Sequence, residues 1–258
     1  MPNGNFNELM IEATSPSPQV TAALRYAARE TNNSFGALLD AARAESSFNP
    51  TAQSRSSSAR GLFQFTRATW LSIARRHADE AGINPTISDE NLLALRDDPK
   101  ISAIMAGHLA NENRAILVRS LGRSVSDREV YVAHFMGASG ATRLLRLVDT
   151  HPLHPAARTF PREAAANRGI FYEGNHMRSV AEVTAVLTGK ITQDLTPYDR
   201  IDARTIATAD VISSSNARVR APTRLFYADA DARLDSEQVL LEQLAHGTAD
   251  DARRKANA

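Results

Sequence analysis

The chain has 258 residues, enough to bury a sizeable hydrophobic core, and its 30 basic and 29 acidic side chains leave a net charge of +1. This balance gives no indication of a nucleic-acid or anionic-membrane partner. The absence of cysteine excludes disulfides, thiolate metal sites and a cysteine nucleophile. No stretch is apolar enough to span a bilayer, and we expect no signal peptide, because the first residues lack a basic start followed by a long apolar run.

The first two predicted elements are helices. Apolar residues repeat at helical spacing between Val20 and Ala27, which predicts one helix there. Ser34 is a typical N-cap, and a second helix is predicted from Phe35 to about residue 44. Glu45 is therefore expected at the C-terminal end of the second helix.

The middle of the chain predicts two further helices. Thr66 is expected to cap a third helix that stops near Gly82. The pair Asp98 and Pro99 is a cap and first-turn signal, and the apolar pattern behind it predicts a long, mostly buried helix that ends at Gly122. His108 lies on the apolar stripe of this helix and is expected in the core or on the floor of a cleft.

Three more helix starts are predicted before residue 190. Capping boxes, in which Ser is followed three residues later by Glu, begin at Ser126 and Ser179. Ser139 is expected to cap a helix that runs through Val148. No alternating strand pattern of any length competes, so the expected fold class is mainly α.

The domain prediction separates residues 17–190 from their flanks. Residues 1–16 are predicted to be a flexible N-terminus, and residues 191–258 a flexible tail, because their apolar residues lack a sustained period. Within the tail, residues 236–246 predict one amphipathic helix, with a transient helix in a solvated segment as the alternative.

Two short motifs point to a family. The sequence ESSFNP occupies residues 45–50, and GLFQ occupies residues 61–64. They resemble the first two motifs of the transglycosylase SLT family, the soluble lytic transglycosylases, which cut bacterial peptidoglycan. Phe63 stands where the family usually has Met. The resemblance spans residues 17–190 and implies a mainly α, lysozyme-like fold of the goose-type and SLT kind, which would make this segment the catalytic domain.

The resemblance also implies roles for four residues. Glu45 is expected to be the catalytic acid, and Gln64 the amide that contacts the acetamido group of a sugar. Ser46 either hydrogen bonds to Glu45 or the acetamido group, or caps the backbone after the helix. Phe63 is expected to form an apolar wall of the cleft. The reaction of this family is expected to need no metal or organic cofactor.

The surroundings of Glu45 favour a single-acid mechanism. The C-terminal end of a helix carries partial negative charge, which favours the neutral carboxylic acid that donates a proton to a glycosidic oxygen. The next acids along the chain are Asp79 and Glu80, beyond a whole predicted helix. Some glycosidases replace the second carboxylate by the N-acetyl group of the substrate. The absence of a second acid close to Glu45 in the sequence favours a transglycosylase, in which the sugar 6-hydroxyl attacks C1 and forms a 1,6-anhydro product. A muramidase on the same fold and a non-catalytic peptidoglycan-binding or assembly module are the alternatives.

The third motif departs from the family pattern. Where the family has Ala-Tyr-Asn-Ala-Gly, residues 133–137 read AHFMG, so His134 replaces Tyr and Phe135 replaces Asn. His134 still offers a ring nitrogen to the cleft, and a core or surface histidine is the alternative. Tyr172 is the first candidate for the cleft wall, and Asn167 is the second. The alternative for Tyr172 is that it packs the terminal helix against the body of the domain.

Other polar residues are weaker candidates for ligand contacts. His151 and His154 have a spacing seen among metal ligands, but flanking prolines favour a loop. Arg55, Arg60 and Arg67 are expected either to meet carboxylates of peptidoglycan or to be solvated.

Partner and compartment follow from the resemblance. The expected partner is the glycan strand of peptidoglycan, in the periplasm or cell envelope. A secretion apparatus, a flagellar apparatus and a phage particle are candidate assemblies for the tail, alongside general wall turnover.

Overall fold

A computed structural model describes residues 15–192 of the chain. The amphipathic helix predicted over 236–246 lies outside the described residues. The mainly helical prediction is confirmed. The helices and strands are, in chain order, α1 (Pro18–Glu30), α2 (Phe35–Ser46), α3 (Arg67–Arg76), α4 (Asp89–Ala94), a 3-10 turn (Leu95–Asp97), α5 (Pro99–Leu121), α6 (Asp127–Thr150), α7 (Ala156–Thr159), α8 (Pro161–Ala166), α9 (Arg168–Phe171), β1 (Tyr172–Glu173), β2 (His176–Met177) and α10 (Val180–Thr188).

The predicted helix starts are confirmed where a polar side chain satisfies the first backbone N–H groups. Ser34 accepts from the N–H of Ala37, and Asp98 accepts from the first turn of α5. Both capping boxes form, at the starts of α6 and α10. A cap of this kind stabilises a helix by about 1 kcal/mol, because it satisfies donors that have no partner within the helix.

The hydrophobic core consists of two clusters that share α5. The first lies among α1 to α5 and is centred on Trp70, which is fully buried and donates from Nε1 to the carbonyl of Leu92 at 2.6 Å. The second lies among the end of α5, α6 and the elements from α7 to α10, with Leu144 and Phe171 fully buried. The long helix predicted from Asp98 to Gly122 is therefore central to the fold.

The predicted cap at Ser139 is wrong by two residues. Helix α6 continues to residue 150, but it is interrupted at Gly137, where φ is 72° and ψ is 160°. Glycine adopts a positive φ without the penalty that a Cβ would bring. The break therefore falls at Gly137, and Ser139 lies within the second half of α6.

Several short helices and strands were not predicted from the sequence. Helix α4, the three short helices between residues 156 and 171 and a hairpin of two-residue strands have too few residues to show a period. In the hairpin, Tyr172 pairs with Met177 in an antiparallel register, and Gly174 occupies the turn with φ of 59°.

The folded domain extends past residue 190. Ile191 is buried, and the backbone N–H of Thr192 donates to Asp40 Oδ2 at 2.7 Å. The first two residues of the predicted tail therefore contact the domain. None of the described helices combines the length and apolar character that a bilayer span requires.

Candidate active site

Glu45 lies in the last turn of α2 and is only 2% exposed. The chain leaves the helix through two consecutive residues with positive φ, Ser47 at 51° and Phe48 at 66°. This left-handed turn ends α2 directly after Glu45 and Ser46. The carboxyl group is thus held beneath the protein surface, where the end of α2 meets α6.

One oxygen of Glu45 meets two side chains of α6. The hydroxyl of Tyr131 donates to Glu45 Oε1 at 2.9 Å, and Nε2 of His134 lies 3.3 Å from the same oxygen. The two aromatic rings stack, with centroids 5.6 Å apart and planes 23° from parallel. His134 therefore lies directly beside the carboxyl group of Glu45.

Tyr131 is the site residue that sequence reasoning missed. The motif comparison indicated that the family tyrosine was lost at position 134, yet a tyrosine hydroxyl reaches Glu45 from one turn earlier. Residues three apart lie on the same face of a helix, so Tyr131 shares the face of His134. That spacing was the signal in the sequence from which Tyr131 could have been found.

The second motif forms a tight loop beside the end of α2. Gly61 has φ of 84°, and a Cβ placed on it would lie 2.1 Å from the carbonyl oxygen of Arg96. Gln64 also has a positive φ, 50°, and is 2% exposed. Its Nε2 donates to the carbonyls of Gly61 at 2.9 Å and Ala52 at 3.2 Å. An amide nitrogen has two protons, so Gln64 retains only its carbonyl oxygen as an acceptor for a ligand.

Ser46 joins the two motifs through the backbone. Its hydroxyl lies 2.8 Å from the carbonyl oxygen of Leu62 and 3.1 Å from that of Ala42, and it is buried. Of the two alternatives for Ser46, this geometry supports the backbone role. The bond holds the loop of residues 61–64 against the end of α2, next to Glu45.

The two phenylalanines expected at the site are both buried. Phe63 packs in the first core and, with Tyr131 and His134, lines a cavity of about 50 Å³. Ligand pockets usually measure roughly 300–1,000 Å³, so a sugar does not fit there. Phe135 is 3% exposed and packs in the second core. Phe63 thus packs against the side of the site that faces the core. Phe135 anchors the half of α6 that carries Tyr131 and His134.

Asn167 and Tyr172 lie in the C-terminal half of the domain. Asn167 is 2% exposed, and within residues 15–192 neither amide atom of its side chain has a hydrogen-bond partner. Tyr172 packs against the second core, and the guanidinium of Arg168 lies 4.5 Å from the centre of its ring. This packing agrees with the alternative stated for Tyr172. No hydrogen bond or ring contact among the described residues joins either side chain to Glu45.

Asp40 and Asp127, carboxylates on the two helices that meet at Glu45, are paired with cations. Asp40, on α2, is bonded to Arg43 at 2.6 Å and to Thr192. Asp127 lines the small cavity beside Tyr131, and Arg114 bonds to it at 2.5 Å.

No hydrogen bond or ion pair among the described residues joins the remaining candidates to Glu45. Arg60 is paired with Asp97, with Nε 2.7 Å from Oδ1. His151 and His154 are exposed and line a surface depression of about 620 Å³. His108 is 8% exposed and stacks on His77, with ring centroids 4.0 Å apart.

The fold and this site together define a helical, lysozyme-like domain with a single buried glutamate at a helix end. The model of the family described as Transglycosylase SLT domain matches residues 23–114. These residues belong to the transglycosylase SLT family, as the two motifs indicated. At the level of the family, the domain is of the lytic transglycosylase type that acts on peptidoglycan. The match contains Glu45 and Gln64 and ends before α6, so Tyr131 and His134 lie outside it.

Proposed function

We propose that this protein is a peptidoglycan lytic transglycosylase. It cleaves the β-1,4 bond between N-acetylmuramic acid and N-acetylglucosamine and forms a 1,6-anhydro-muramic product, with Glu45 as the single general acid and base. The observation that carries the proposal is the buried carboxyl of Glu45, which accepts a hydrogen bond from Tyr131.

The hydrogen bond from Tyr131 assigns different tasks to the two oxygens of Glu45. Oε1 accepts the hydrogen bond from the tyrosine hydroxyl, so the proton of the neutral acid resides on Oε2. Oε2 is therefore the atom that protonates the glycosidic oxygen as the bond from C1 of the muramic sugar to that oxygen breaks. The tyrosine bond restricts rotation of the carboxyl and keeps Oε2 directed at the substrate.

The substrate supplies the group that a second carboxylate provides in other glycosidases. The 2-acetamido oxygen stabilises the positive charge that develops at C1. The carbonyl oxygen of Gln64 is available to accept from the acetamido N–H, since the amide nitrogen of Gln64 is already bonded to two carbonyls. This bond would direct the acetamido oxygen towards C1.

The second step regenerates the acid. Oε2 of Glu45, now deprotonated, takes the proton of the 6-hydroxyl as O6 forms a bond to C1. A tethered hydroxyl has a large effective molarity, so no second protein base is required. Burial of Glu45 and Tyr131, at 2% and 5% exposure, limits the access of competing water and favours this closure over hydrolysis.

The same reaction determines where the protein acts. Its substrate is the glycan strand of peptidoglycan, so the proposed compartment is the periplasm or cell envelope. We extend the proposal to the predicted tail, residues 191–258, as the part that connects the domain to a secretion, flagellar or phage assembly.

Digestion of purified sacculi followed by mass spectrometry tests the reaction. Wild type is expected to release anhydro-muropeptides, lighter by one water than the hydrolytic products, and Glu45→Gln is expected to release almost none. Glu30→Gln removes an equivalent charge from an exposed position at the end of α1 and serves as the matched control.

Each other outcome excludes a part of the proposal. Reducing-end products from wild type would replace the transglycosylase by a muramidase. Equal release by Glu45→Gln would remove Glu45 from the mechanism. No release by wild type, with binding to sacculi retained, would indicate a non-catalytic module.

A further inference from the structure

A second group of ionisable side chains lies between α5 and the turn that follows α3. His77 ends α3, Glu80 lies in the turn, and His108 and Glu112 lie one turn apart on α5. With 3.6 residues per turn, His108 and Glu112 occupy the face of α5 opposite the residues that line the cavity beside Tyr131. The group is thus separate from the site of Glu45.

Both ring nitrogens of His77 face carboxylate oxygens. Nδ1 lies 2.6 Å from Glu80 Oε1, and Nε2 lies 3.0 Å from Glu112 Oε1. Nε2 of His108 lies 3.8 Å from the other oxygen of Glu80. One ligand atom from each of His77, Glu80 and His108 can be chosen so that all three lie within 4.8 Å of one another.

Glu112 is placed like a carboxylate that accepts the free ring N–H of a metal-bound histidine. It is held by Arg76, whose Nε and terminal nitrogen lie 2.9 and 2.7 Å from its two oxygens. Histidines that bind a metal usually donate their other ring N–H to a carboxylate, which fixes the orientation of the ring. Glu112 stands in that relation to His77 Nε2, while Nδ1 faces Glu80.

We propose that His77, Glu80 and His108 bind one Zn²⁺ ion, with Glu112 orienting His77. Two imidazole nitrogens and one carboxylate form a donor set that Zn²⁺ prefers, and a water molecule completes a tetrahedral site. The ion replaces the proton between His77 Nδ1 and Glu80, and this proton leaves to solvent. Zinc here links the turn after α3 to α5.

Binding requires one local rearrangement. The rings of His77 and His108 are stacked, with planes 13° from parallel, and one ion does not lie in both planes at once. One imidazole must therefore turn about its χ2 angle. Glu80 can follow, because its side chain is 58% exposed.

Titration of the tag-free, metal-stripped full chain with Zn²⁺ by calorimetry tests the site. Wild type is expected to bind one equivalent and to unfold at a higher temperature with Zn²⁺ than with a chelator. Glu80→Gln and His77→Gln are expected to weaken binding at least about tenfold, and Glu112→Gln about 10- to 100-fold, as for loss of an outer carboxylate. Co²⁺ as a spectroscopic probe should show the intense visible bands of a four-coordinate site in wild type and not in His77→Gln.

Two matched controls use residues away from the site. Glu90→Gln removes an exposed acid from α4, and His151→Gln removes an exposed histidine from the loop after α6, and both are expected to bind Zn²⁺ as wild type does. Absence of binding by wild type, or unchanged affinity in Glu80→Gln, would overturn the inference and leave the group as an ion-pair network. Since calorimetry needs no substrate, this result is independent of the proposed function.

Discussion

The replacement Tyr131→Phe isolates the hydrogen bond that orients Glu45. Phenylalanine keeps the ring, which is buried and stacked on His134, and removes only the hydroxyl that lies 2.9 Å from Glu45 Oε1. We therefore expect an unchanged fold. The carboxyl loses the bond that restricts its rotation and that stabilises its charged form between the two steps.

The magnitude follows from the burial of both partners. A hydrogen bond to a charged group contributes about 1.5–3 kcal/mol. At 1.36 kcal/mol for each tenfold change in rate, its loss lowers kcat by about 10- to 150-fold, with little change in KM because the hydroxyl does not contact substrate. Loss of the general acid itself in Glu45→Gln is expected to lower the rate by at least about 10²–10⁴-fold.

The assay measures the rate at which anhydro-muropeptides form from soluble, uncross-linked glycan strands at several concentrations. Tyr26→Phe is the matched control, since this half-buried tyrosine lies on α1, where Lys100 rather than Glu45 contacts its ring. A Tyr131→Phe variant within twofold of the wild-type kcat would refute the orienting role. A change confined to KM would indicate a substrate contact instead.

Four further predictions concern the support of the site and are measured by urea unfolding. Ser46→Ala leaves the buried carbonyl of Leu62 without its donor and should lower the free energy of unfolding by about 1–3 kcal/mol; an unchanged midpoint would contradict the bond between the motifs. Gly61→Ala combines a positive φ with a clash against a backbone carbonyl and should destabilise by at least about 1–3 kcal/mol, whereas wild-type stability would mean that the loop relaxes freely. Ser126→Ala removes the cap of α6 and should lower stability by about 1 kcal/mol. Burial raises the pKa of Glu129, but bonds from Arg123 and Ser126 outweigh this effect and hold the pKa below the usual 4.5. Its stabilisation is therefore complete above that value and is lost as the pH falls through the lowered pKa, and Glu129→Gln should flatten this part of the pH profile.

The local features of the site were predictable because they depend on neighbours in the chain. The end of α2 next to Glu45 follows from the cap at Ser34 and the apolar period of that helix. The long α5 follows from Asp98 and Pro99 at one end and Gly122 at the other. Capping and periodicity act over a few residues, so they are visible without the fold.

Two details of the structure depend on backbone conformation and were therefore not visible in the sequence. Helix α6 is interrupted at Gly137 and not at the predicted cap Ser139. The interruption requires a positive φ, which glycine adopts more easily than serine. The donors of Gln64 are occupied by carbonyls of its own loop, which required the loop conformation to be known.

The sequence by itself determined the helical class, the helix starts, the family to which residues 23–114 belong and the position of Glu45 at a helix end. Only the tertiary structure decided what surrounds that carboxyl. Tyr131 bonds to Glu45 across 86 residues of sequence, and no local pattern encodes a contact of that separation. It arises because α5 packs against both α1 and α6 and so brings α6 to the end of α2. The same packing places His77 and Glu80 beside His108 on the opposite face of α5.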